Sequence, residues 1–275
     1  MLIPSIVWRH CSALSYHPKI LSVVGHAVVF LPTSTHILRR HIMVSTETSN
    51  LLGVGLYSPA EAALYARVSS QTMSRWVFGS GQSESAIKAQ LGSAEKVVTF
   101  LDFVQALAIR SIRLFRETPI PLQKIRSAVQ FAETEFGITY PLARKHKIFL
   151  MNDELIINVG DRESDKYVLA TGKHKRNFLL NEIAECFLED VGFDGSGLAS
   201  WYRPFMHHEY EVKMDPHLRF GEPLIPSCGY SAQALWDAYR FEGGIKAAAK
   251  AYGVKEGEVE TAVLYFEQIT PRQAA

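Results

Sequence analysis

The stretch that decides the fold lies at residues 56–79, which read LYSPAEAALYARVSSQTMSRWVFG. Ser58 is a good N-cap, Pro59 suits the first helical position, and Glu61 completes an S-x-x-E capping box. Small apolar residues then follow to position 66, so that this segment can pack closely on a neighbour. The pattern predicts a short helix that begins at residue 59.

A second helix is predicted after a turn at Arg67 and Val68. Ser69 or Ser70 caps this helix, which runs to residue 77 or 78 before Gly79 ends it. Two short helices with such a tight connection predict a helix-turn-helix.

The second helix has an apolar face and a polar face. Met73, Trp76 and Val77 recur at i, i+3 and i+4 and are predicted to point inward. The opposite face holds no acid, as a surface that meets phosphates or base edges requires. These candidate DNA-binding residues are Ser70, Gln71, Thr72, Ser74 and Arg75.

The segment resembles the helix-turn-helix of the MerR superfamily, in which an aromatic residue precedes [ST]-x-x-E-A-A, followed by V-S and T-[apolar]-x-R-W. The matching residues are Tyr57, Ser58, Glu61, Ala62, Ala63, Val68, Ser69, Thr72, Arg75 and Trp76. The resemblance implies that Arg75 and its neighbours contact double-stranded DNA. The alternative is an ordinary two-helix corner in which Arg75 is merely solvated.

Charge supports nucleic-acid binding only locally. The chain has 275 residues and a net charge of +1, so any DNA contact must rest on a local basic surface. Residues 57–130 hold nine basic and five acidic side chains, a net charge of +4. The hydrophobic content of 47% excludes a wholly disordered chain.

Two longer helices are predicted next. Residues 93–117 form an amphipathic helix whose apolar stripe is Val97, Leu101, Val104, Ala108, Ile112 and Phe115. Residues 122–136 form another, with Gly137 as C-cap and an inward stripe of Leu122, Ile125, Val129 and Phe136. A long helix after a helix-turn-helix also suits a homodimer, which would match two DNA half-sites to the protein's two-fold axis.

The middle of the chain predicts mixed structure. Residues 147–159 read as a hairpin that turns at Asn152 and Asp153. Residues 178–190 predict a helix that buries Phe178, Ile183, Cys186 and Phe187. Residues 192–204 predict a connector with a short strand.

The C-terminal part predicts a compact three-helix module. Its helices span residues 232–241, capped by Ser231, then 244–252 and 256–268, in a homeodomain-like order. The last helix carries Glu256, Glu258 and Glu260, which would repel phosphates. Residues 211–275 hold seven basic and nine acidic side chains, a net charge of −2, so the module is predicted to bind protein or to dimerise.

This module resembles one found in antitoxins that pair with PIN-like ribonuclease toxins. The matching residues are Asp215, Pro216, Gly221, Pro223, Leu224, Ile225, Gly243, Ala249, Tyr252, Gly253, Val254, Val259, Ala262 and Tyr265; Ser227-Cys228-Gly229 replaces the usual G-T-R step. With the first motif, the chain resembles the VapB-type antitoxin family with an N-terminal MerR-like domain. The resemblance implies repression of the chain's own operon and neutralisation of a PIN-like toxin.

We therefore expect a mainly α chain with a small β component (α+β), consisting of an N-terminal MerR-like helix-turn-helix and a C-terminal homeodomain-like three-helix module. The expected parts are 1–50, an extension; 51–145, the DNA-binding and helical domain; 146–210, a connector; and 211–270, the antitoxin-associated module. Two alternatives stay open: a stand-alone MerR-like regulator that senses a small ligand through the C-terminal module, and a protein adaptor that does not bind DNA.

No catalytic motif is present: GxSxG, GxxxxGK[ST], HExxH and GxGxxG are all missing, so the sequence does not predict an enzyme or a cofactor. His207 and His208 lie near Glu209 and His217, but adjacent histidines in a strand should point to opposite faces. We therefore predict no metal site.

The first 50 residues differ from the rest. They hold five of the ten histidines and a single acid, Glu47, and we expect an upstream extension for which Met43 is the better start, with an arm that touches DNA as the alternative. Three widely spaced cysteines fit a reducing cytoplasm, and no apolar run is long enough to span a membrane.

Overall fold

The computed structural model describes residues 53–81, 83–114, 119–145, 148–151, 154–158, 167–169, 181–182 and 189–270. The chain divides into two units, Met1–Thr48 and Ser49–Ala275, and all described residues belong to the second. The expectations for residues 1–50 therefore lie outside the described residues. No described helix has the length and apolar character needed to cross a bilayer.

The first half of the described chain is a helical domain around one core. Its elements are β1 (Leu56–Tyr57), α1 (Pro59–Tyr65), α2 (Ser70–Phe78), β2 (Val98–Thr99), α3 (Phe100–Leu114) and α4 (Leu122–Phe136). The predicted helix at 122–136 and its C-cap are confirmed, since Gly137 takes the left-handed conformation with φ 63°. Phe136, predicted inward, is instead exposed because it lies in the last turn, beyond the part of α4 that faces the core.

The helix predicted to begin at residue 93 begins at Phe100. Val98 and Thr99 pair with β1 instead, and Thr99 then caps α3 together with Asp102. The Asp102 amide donates to Thr99 Oγ1 at 3.2 Å, and the Thr99 amide donates back to the Asp102 carboxylate at 3.2 Å. Residues 100–109 are all buried, so most of α3 is enclosed by the core, and only its last turn reaches solvent. Phe115, the last member of the predicted stripe, lies outside the described residues.

A four-stranded antiparallel sheet follows, in the order β5-β4-β3-β6. Its strands are β3 (Ile148–Met151), β4 (Glu154–Asn158), β5 (Tyr167–Leu169) and β6 (Asn181–Glu182). The predicted hairpin is confirmed, since Met151 pairs with Glu154, while its turn at 152–153 lies outside the described residues. The helix predicted over 178–190 is wrong at 181–182, which pair with β3; Phe178, Ile183, Cys186 and Phe187 lie outside the described residues.

A five-stranded antiparallel sheet has the order β11-β10-β9-β8-β7. Its strands are β7 (Val191–Phe193), β8 (Ala199–His207), β9 (Tyr210–Met214), β10 (Leu224–Ile225) and β11 (Tyr230–Ser231). The predicted connector at 192–204 is thus a β-hairpin. The Asp194 carboxylate builds its turn by accepting from the amides of Ser196 and Leu198, at 2.8 and 3.0 Å.

Three helices complete the chain and match the predicted ones to within one residue. They are α5 (Ala232–Glu242), α6 (Ile245–Tyr252) and α7 (Glu256–Ile269). Ser231 caps α5, as predicted, by accepting from the Ala234 amide at 3.2 Å. These helices pack on β9 around a second core that includes Val212, Leu235 and Phe266.

Helix α1 joins the two cores. Leu64 and Tyr65 pack against the second core, whereas Ala62 and Ala63 belong to the first. In β1, the Tyr57 hydroxyl donates to the carbonyl of Gly221 at 2.9 Å. A Cβ at position 221 would lie 2.1 Å from this hydroxyl, and φ there is +85°, so only glycine fits. The β1–α1 segment is therefore attached to the C-terminal part.

Asp102 gives a stability test of this core. Its buried carboxylate accepts from the amides of Thr99 and Gln90. Asp102→Ala leaves both amides without that acceptor, so we expect the free energy of unfolding to fall by about 2 kcal/mol. Asp102→Asn keeps one acceptor oxygen and should lose less. Urea denaturation of the three proteins measures the difference, and equal midpoints would contradict it.

The same carboxyl makes stability depend on pH. Burial raises the pKa of Asp102 above its ordinary value of 3.8, although hydrogen bonds from Thr99 and Gln90 oppose the rise. Between 3.8 and the raised value, the folded state holds the proton and the unfolded state has lost it. The free energy of unfolding should therefore fall as pH rises through this window. Asp102→Asn should flatten that dependence, and an unchanged slope would exclude Asp102 as its source.

Candidate nucleic-acid interface

The start of α1 is built as the sequence predicts. The Ser58 amide donates to the Glu61 carboxylate at 2.8 Å, and the Glu61 amide donates to Ser58 Oγ at 3.2 Å. Pro59 occupies the first turn of the helix. Since both bonds of the capping box form, the start of α1 is fixed by local chemistry alone.

The turn between α1 and α2 is tight. The Val68 amide donates to the Ala63 carbonyl at 3.0 Å, and Arg67 lies in the left-handed region with φ 54°. Ser69 then caps α2, since its hydroxyl oxygen accepts from the Thr72 amide at 3.1 Å. These bonds set the direction in which α2 leaves the turn.

Helix α2 presents its predicted faces. Met73, Trp76 and Val77 are buried in the first core. Ser70, Gln71 and Arg75 are exposed, while Thr72 and Ser74 are half-buried. The Thr72 hydroxyl accepts from Ser69 at 2.8 Å, so it partly serves the cap. Within the described part of the chain, the Arg75 guanidinium makes no hydrogen bond or ion pair, and the outward face of α2 carries no acid.

Not all of the basic side chains in residues 57–130 contribute to a basic surface. Arg126 is buried and donates to the carbonyls of Ser85 and Glu84, at 2.9 and 2.6 Å. Arg113 donates to the Ile120 carbonyl at 2.9 Å. Both guanidinium groups therefore hold the chain together, and the net charge of +4 over residues 57–130 overstates the basic surface.

Arg126 also supports α2 indirectly. The loop that it holds returns to the end of α2, where the Ala86 amide donates to the Trp76 carbonyl at 2.8 Å. Gly79, the C-cap of α2, has φ 78°, and a Cβ there would lie 2.8 Å from the Ser83 carbonyl oxygen. Both ends of α2 are thus anchored, so its outward side chains stand on a fixed frame.

The last helix, α7, buries its apolar face and one of its three predicted surface acids. Val259, Ala262, Tyr265 and Phe266 are all buried in the second core. Glu258, predicted to repel phosphates from the surface, is buried and accepts from the Ser227 hydroxyl at 2.6 Å and the Lys255 amide at 2.8 Å. It serves as a cap because it lies in the first turn of α7.

The C-terminal module presents aromatic side chains to solvent. Phe241, at the end of α5, is 87% exposed. Tyr230 and Tyr252 are also exposed and meet edge to face, with ring centroids 5.2 Å apart. Aromatic side chains often anchor protein partners, so these three are the candidates for such a contact in this module.

The two adjacent histidines were predicted to point to opposite faces of a strand, and this prediction is wrong. His207 ends β8 and His208 lies in the turn with φ 52°, which brings their ring centroids to 4.2 Å. The His207 imidazole lies 3.9 Å from the Glu260 carboxylate. Among the described residues, no three His, Cys, Asp or Glu side chains are grouped so that they could hold a metal ion.

No sequence pattern indicated the cavity that lies beside the α1–α2 turn. Arg67 and Arg110 line it together with Tyr202 of β8. Tyr202 is more than 130 positions away from Arg67 in the chain, so no local pattern links them. Only the fold brings these side chains together.

The overall fold is similar to that of a solved protein. The crystal structure of Rv2018 from Mycobacterium tuberculosis superposes with a TM-score of 0.51 and 20% sequence identity, covering 76% of this chain and 97% of that one. This likeness defines the fold.

The sequence is also similar to that of a protein described as an antitoxin. Over 228 residues, the chain is 24% identical to antitoxin VapB45 of Mycobacterium tuberculosis, a name given provisionally to that protein; the match covers 76% of this chain and 93% of the relative. No family model matches the chain. The chain is thus similar to a VapB-type antitoxin over most of its length.

Proposed function

We propose that this chain is the DNA-binding antitoxin of a type II toxin–antitoxin pair. It represses its own operon as a homodimer and neutralises a PIN-like ribonuclease. The observation that carries the DNA-binding half is the acid-free outward face of α2, with an unpaired Arg75, on a helix anchored at both ends. In this proposal the α1–α2 unit is MerR-like, α5–α7 are homeodomain-like, and the fold is mainly α with a smaller β part.

The geometry of α2 suits a duplex. Its first turn offers the amides of Ser70 and Gln71, and no acidic side chain lies there. Free amides at a helix N-terminus attract phosphate, while Arg75, one and a half turns later, reaches base edges or a second phosphate. Ser70, Gln71, Thr72 and Ser74 add hydroxyl and amide groups to the same face. Two copies related by a two-fold axis would read half-sites about 34–36 Å apart.

The antitoxin half rests on the similarity to VapB45 and on the C-terminal module. The buried α7 leaves the outward surface of α5 and α6 for a partner, and Phe241 is its most exposed apolar side chain. An antitoxin binds its toxin stoichiometrically, so the proposal requires no catalytic site. Double-stranded operator DNA and the toxin are therefore the two partners.

A stand-alone regulator that senses a small ligand is the second candidate. The observation that favours it is the cavity between the α1–α2 turn, α3 and β8, which is lined by two arginines. The two candidates differ in their partner, since only the antitoxin requires a ribonuclease.

Two measurements test the proposal. Fluorescence anisotropy compares the chain's own promoter duplex with a scrambled duplex between 50 and 200 mM salt, roughly the range in which phosphate contacts weaken. We expect preference for the promoter and a linear fall of log K with log salt. If the chain binds both duplexes equally and salt does not change the affinity, DNA-specific roles are excluded. The remaining hypothesis is then a protein adaptor that does not bind DNA.

The second measurement is co-expression with the product of the neighbouring gene. We expect a ribonuclease to co-purify with the full chain and to be inactive in the complex. Light scattering of the chain alone should give the mass of two 30.8 kDa chains. Promoter binding without a ribonuclease partner would instead establish the stand-alone regulator.

A further inference from the structure

A polar cavity of about 250 Å³ lies between the α1–α2 turn, α3 and β8. Its main lining side chains are Tyr65, Arg67, Leu107, Arg110, Ser111 and Tyr202. We call it the Arg67–Arg110 cavity. None of the five candidate DNA-binding side chains lines it.

Two positive charges meet in this cavity without a counter-charge. Arg110 is half-buried and Arg67 is exposed, and neither guanidinium has a hydrogen-bond or ion-pair partner in the part of the chain that the structure describes. Burial lowers the pKa of Arg110, and the charge of Arg67 lowers it further. Placing like charges together in a partly desolvated site costs free energy, which an anion bound between them would offset.

The acidic side chain at the cavity does not neutralise these arginines. Asp190 also lines the cavity, but its carboxylate is 3.1 Å from the Arg203 guanidinium, with which it forms an ion pair. The pair leaves Arg67 and Arg110 as uncompensated charges. The cavity therefore has a positive balance although the whole chain is nearly neutral.

Hydroxyl groups complete the donor set. Tyr65, Ser111 and Tyr202 line the cavity, and burial raises the pKa of both tyrosines, so their phenols stay protonated and able to donate. The Tyr265 hydroxyl lies within electrostatic range of Tyr65, Tyr202 and Arg67. It is fully buried and has no hydrogen-bond partner. Tyr265 does not line the cavity, so the donor set is Tyr65, Ser111 and Tyr202 with the two arginines.

The conformation of Arg67 adds to the argument. A left-handed φ of 54° favours glycine, asparagine or aspartate and penalises arginine. The turn itself would accept glycine. An arginine therefore occupies a position that its backbone disfavours, and its side chain lines the cavity.

We propose that the Arg67–Arg110 cavity binds a phosphate-type oxyanion. Two guanidinium groups and several hydroxyl donors match the acceptors of a tetrahedral oxyanion. The occupant that this donor set matches is inorganic phosphate or the phosphoryl group of a small metabolite. Because Arg67 belongs to the α1–α2 turn, the bound anion would tie the helix-turn-helix to α3 and β8.

Isothermal titration of the full chain with sodium phosphate, at constant ionic strength in chloride, tests the site. We expect saturable binding of one phosphate per chain. Arg110→Ala and Arg67→Gly should each weaken it at least about 10-fold, since each removes charged hydrogen bonds. Arg67→Gly also suits the left-handed turn, so its thermal midpoint should not fall. Lys246→Ala, on the exposed surface of α6, removes the same charge elsewhere and should bind phosphate as the parent does.

Three results would overturn the assignment. They are the absence of saturable phosphate binding to the parent chain, equal affinity in the folded Arg110→Ala and Arg67→Gly variants, and an equal loss in Lys246→Ala. A fourth would assign the arginines to the DNA backbone: no binding of free phosphate, with a reduced salt slope for a scrambled duplex in both arginine variants. The phosphate titration needs no DNA or toxin, so it can succeed or fail independently of the proposed antitoxin function.

Discussion

Arg75→Ala should weaken binding of the promoter duplex about 5- to 150-fold, the effect of losing one specific arginine contact of roughly 1–3 kcal/mol. Arg75 is exposed, lies on the acid-free face of α2, and has no partner within the described residues. The substitution therefore removes no interaction that holds the fold, and the thermal midpoint should stay where it is. Fluorescence anisotropy at fixed salt measures the loss.

Arg75→Lys separates two roles for this side chain. If Arg75 contacts a guanine edge through two parallel hydrogen bonds, lysine keeps the charge but loses that geometry, and discrimination between promoter and scrambled duplex should fall. If it contacts a phosphate, lysine should restore affinity for both duplexes, and only the alanine variant should lower the salt slope, by about 1. Lys246→Ala again serves as the matched control. Unchanged promoter affinity in Arg75→Ala would remove this residue from the DNA-binding site.

Local chemistry made helices α1 and α2 predictable. The Ser58 capping box, the Ser69 cap and the inward positions of Met73 and Trp76 each depend on residues three or four positions apart. The three C-terminal helices were equally predictable from local signals. Ser231 begins the first helix, Gly243 ends it, and Gly253 ends the second. Where caps and apolar periodicity agree, the sequence determines the element.

Distant pairing was not predictable. Val98 and Thr99 leave a helical pattern because β1, some 40 residues earlier, offers them a strand partner. Residues 181–182 likewise pair with β3. The periodicity of a segment carries no information about strand partners that are distant in the sequence. The predicted start of α3 and the helix predicted over 178–190 were therefore wrong.

The same limit applies to charge. Arg126 looks like its basic neighbours in the sequence, but the fold buries it against two carbonyls of the loop after α2. Glu258 looks like a solvated acid but caps α7. Conversely, nothing near Arg67 in the sequence indicates that Arg110 and Tyr202 share a cavity with it. The net charge counted along a stretch of sequence therefore gives the charge of its surface only when the buried side chains are known and left out.

Phe241→Asp should abolish binding of the toxin partner, with a loss of at least about 30-fold in affinity. Its ring, 87% exposed at the end of α5, is the most exposed of the large apolar side chains that the structure describes. Buried aromatic anchors at interfaces contribute about 2 kcal/mol or more, and a carboxylate placed in such a contact also has to be desolvated. Because the side chain touches little in the free protein, stability should change by less than about 0.5 kcal/mol. Surface plasmon resonance of the purified toxin on each immobilised variant measures the loss.

Leu114→Asp is the matched control for this prediction. Leu114 is 63% exposed at the end of α3, in the helical domain, so the same change of an exposed apolar side chain is made outside the C-terminal module. We expect it to keep toxin affinity, while both variants keep promoter binding because neither lies on α2. Loss of toxin binding in both variants would show that the effect is not specific to the module. A third outcome is that the Phe241→Asp chain still binds toxin but has the mass of a single chain in light scattering. This surface would then be the homodimer interface, because removing the ring would separate two copies and leave the toxin contact intact.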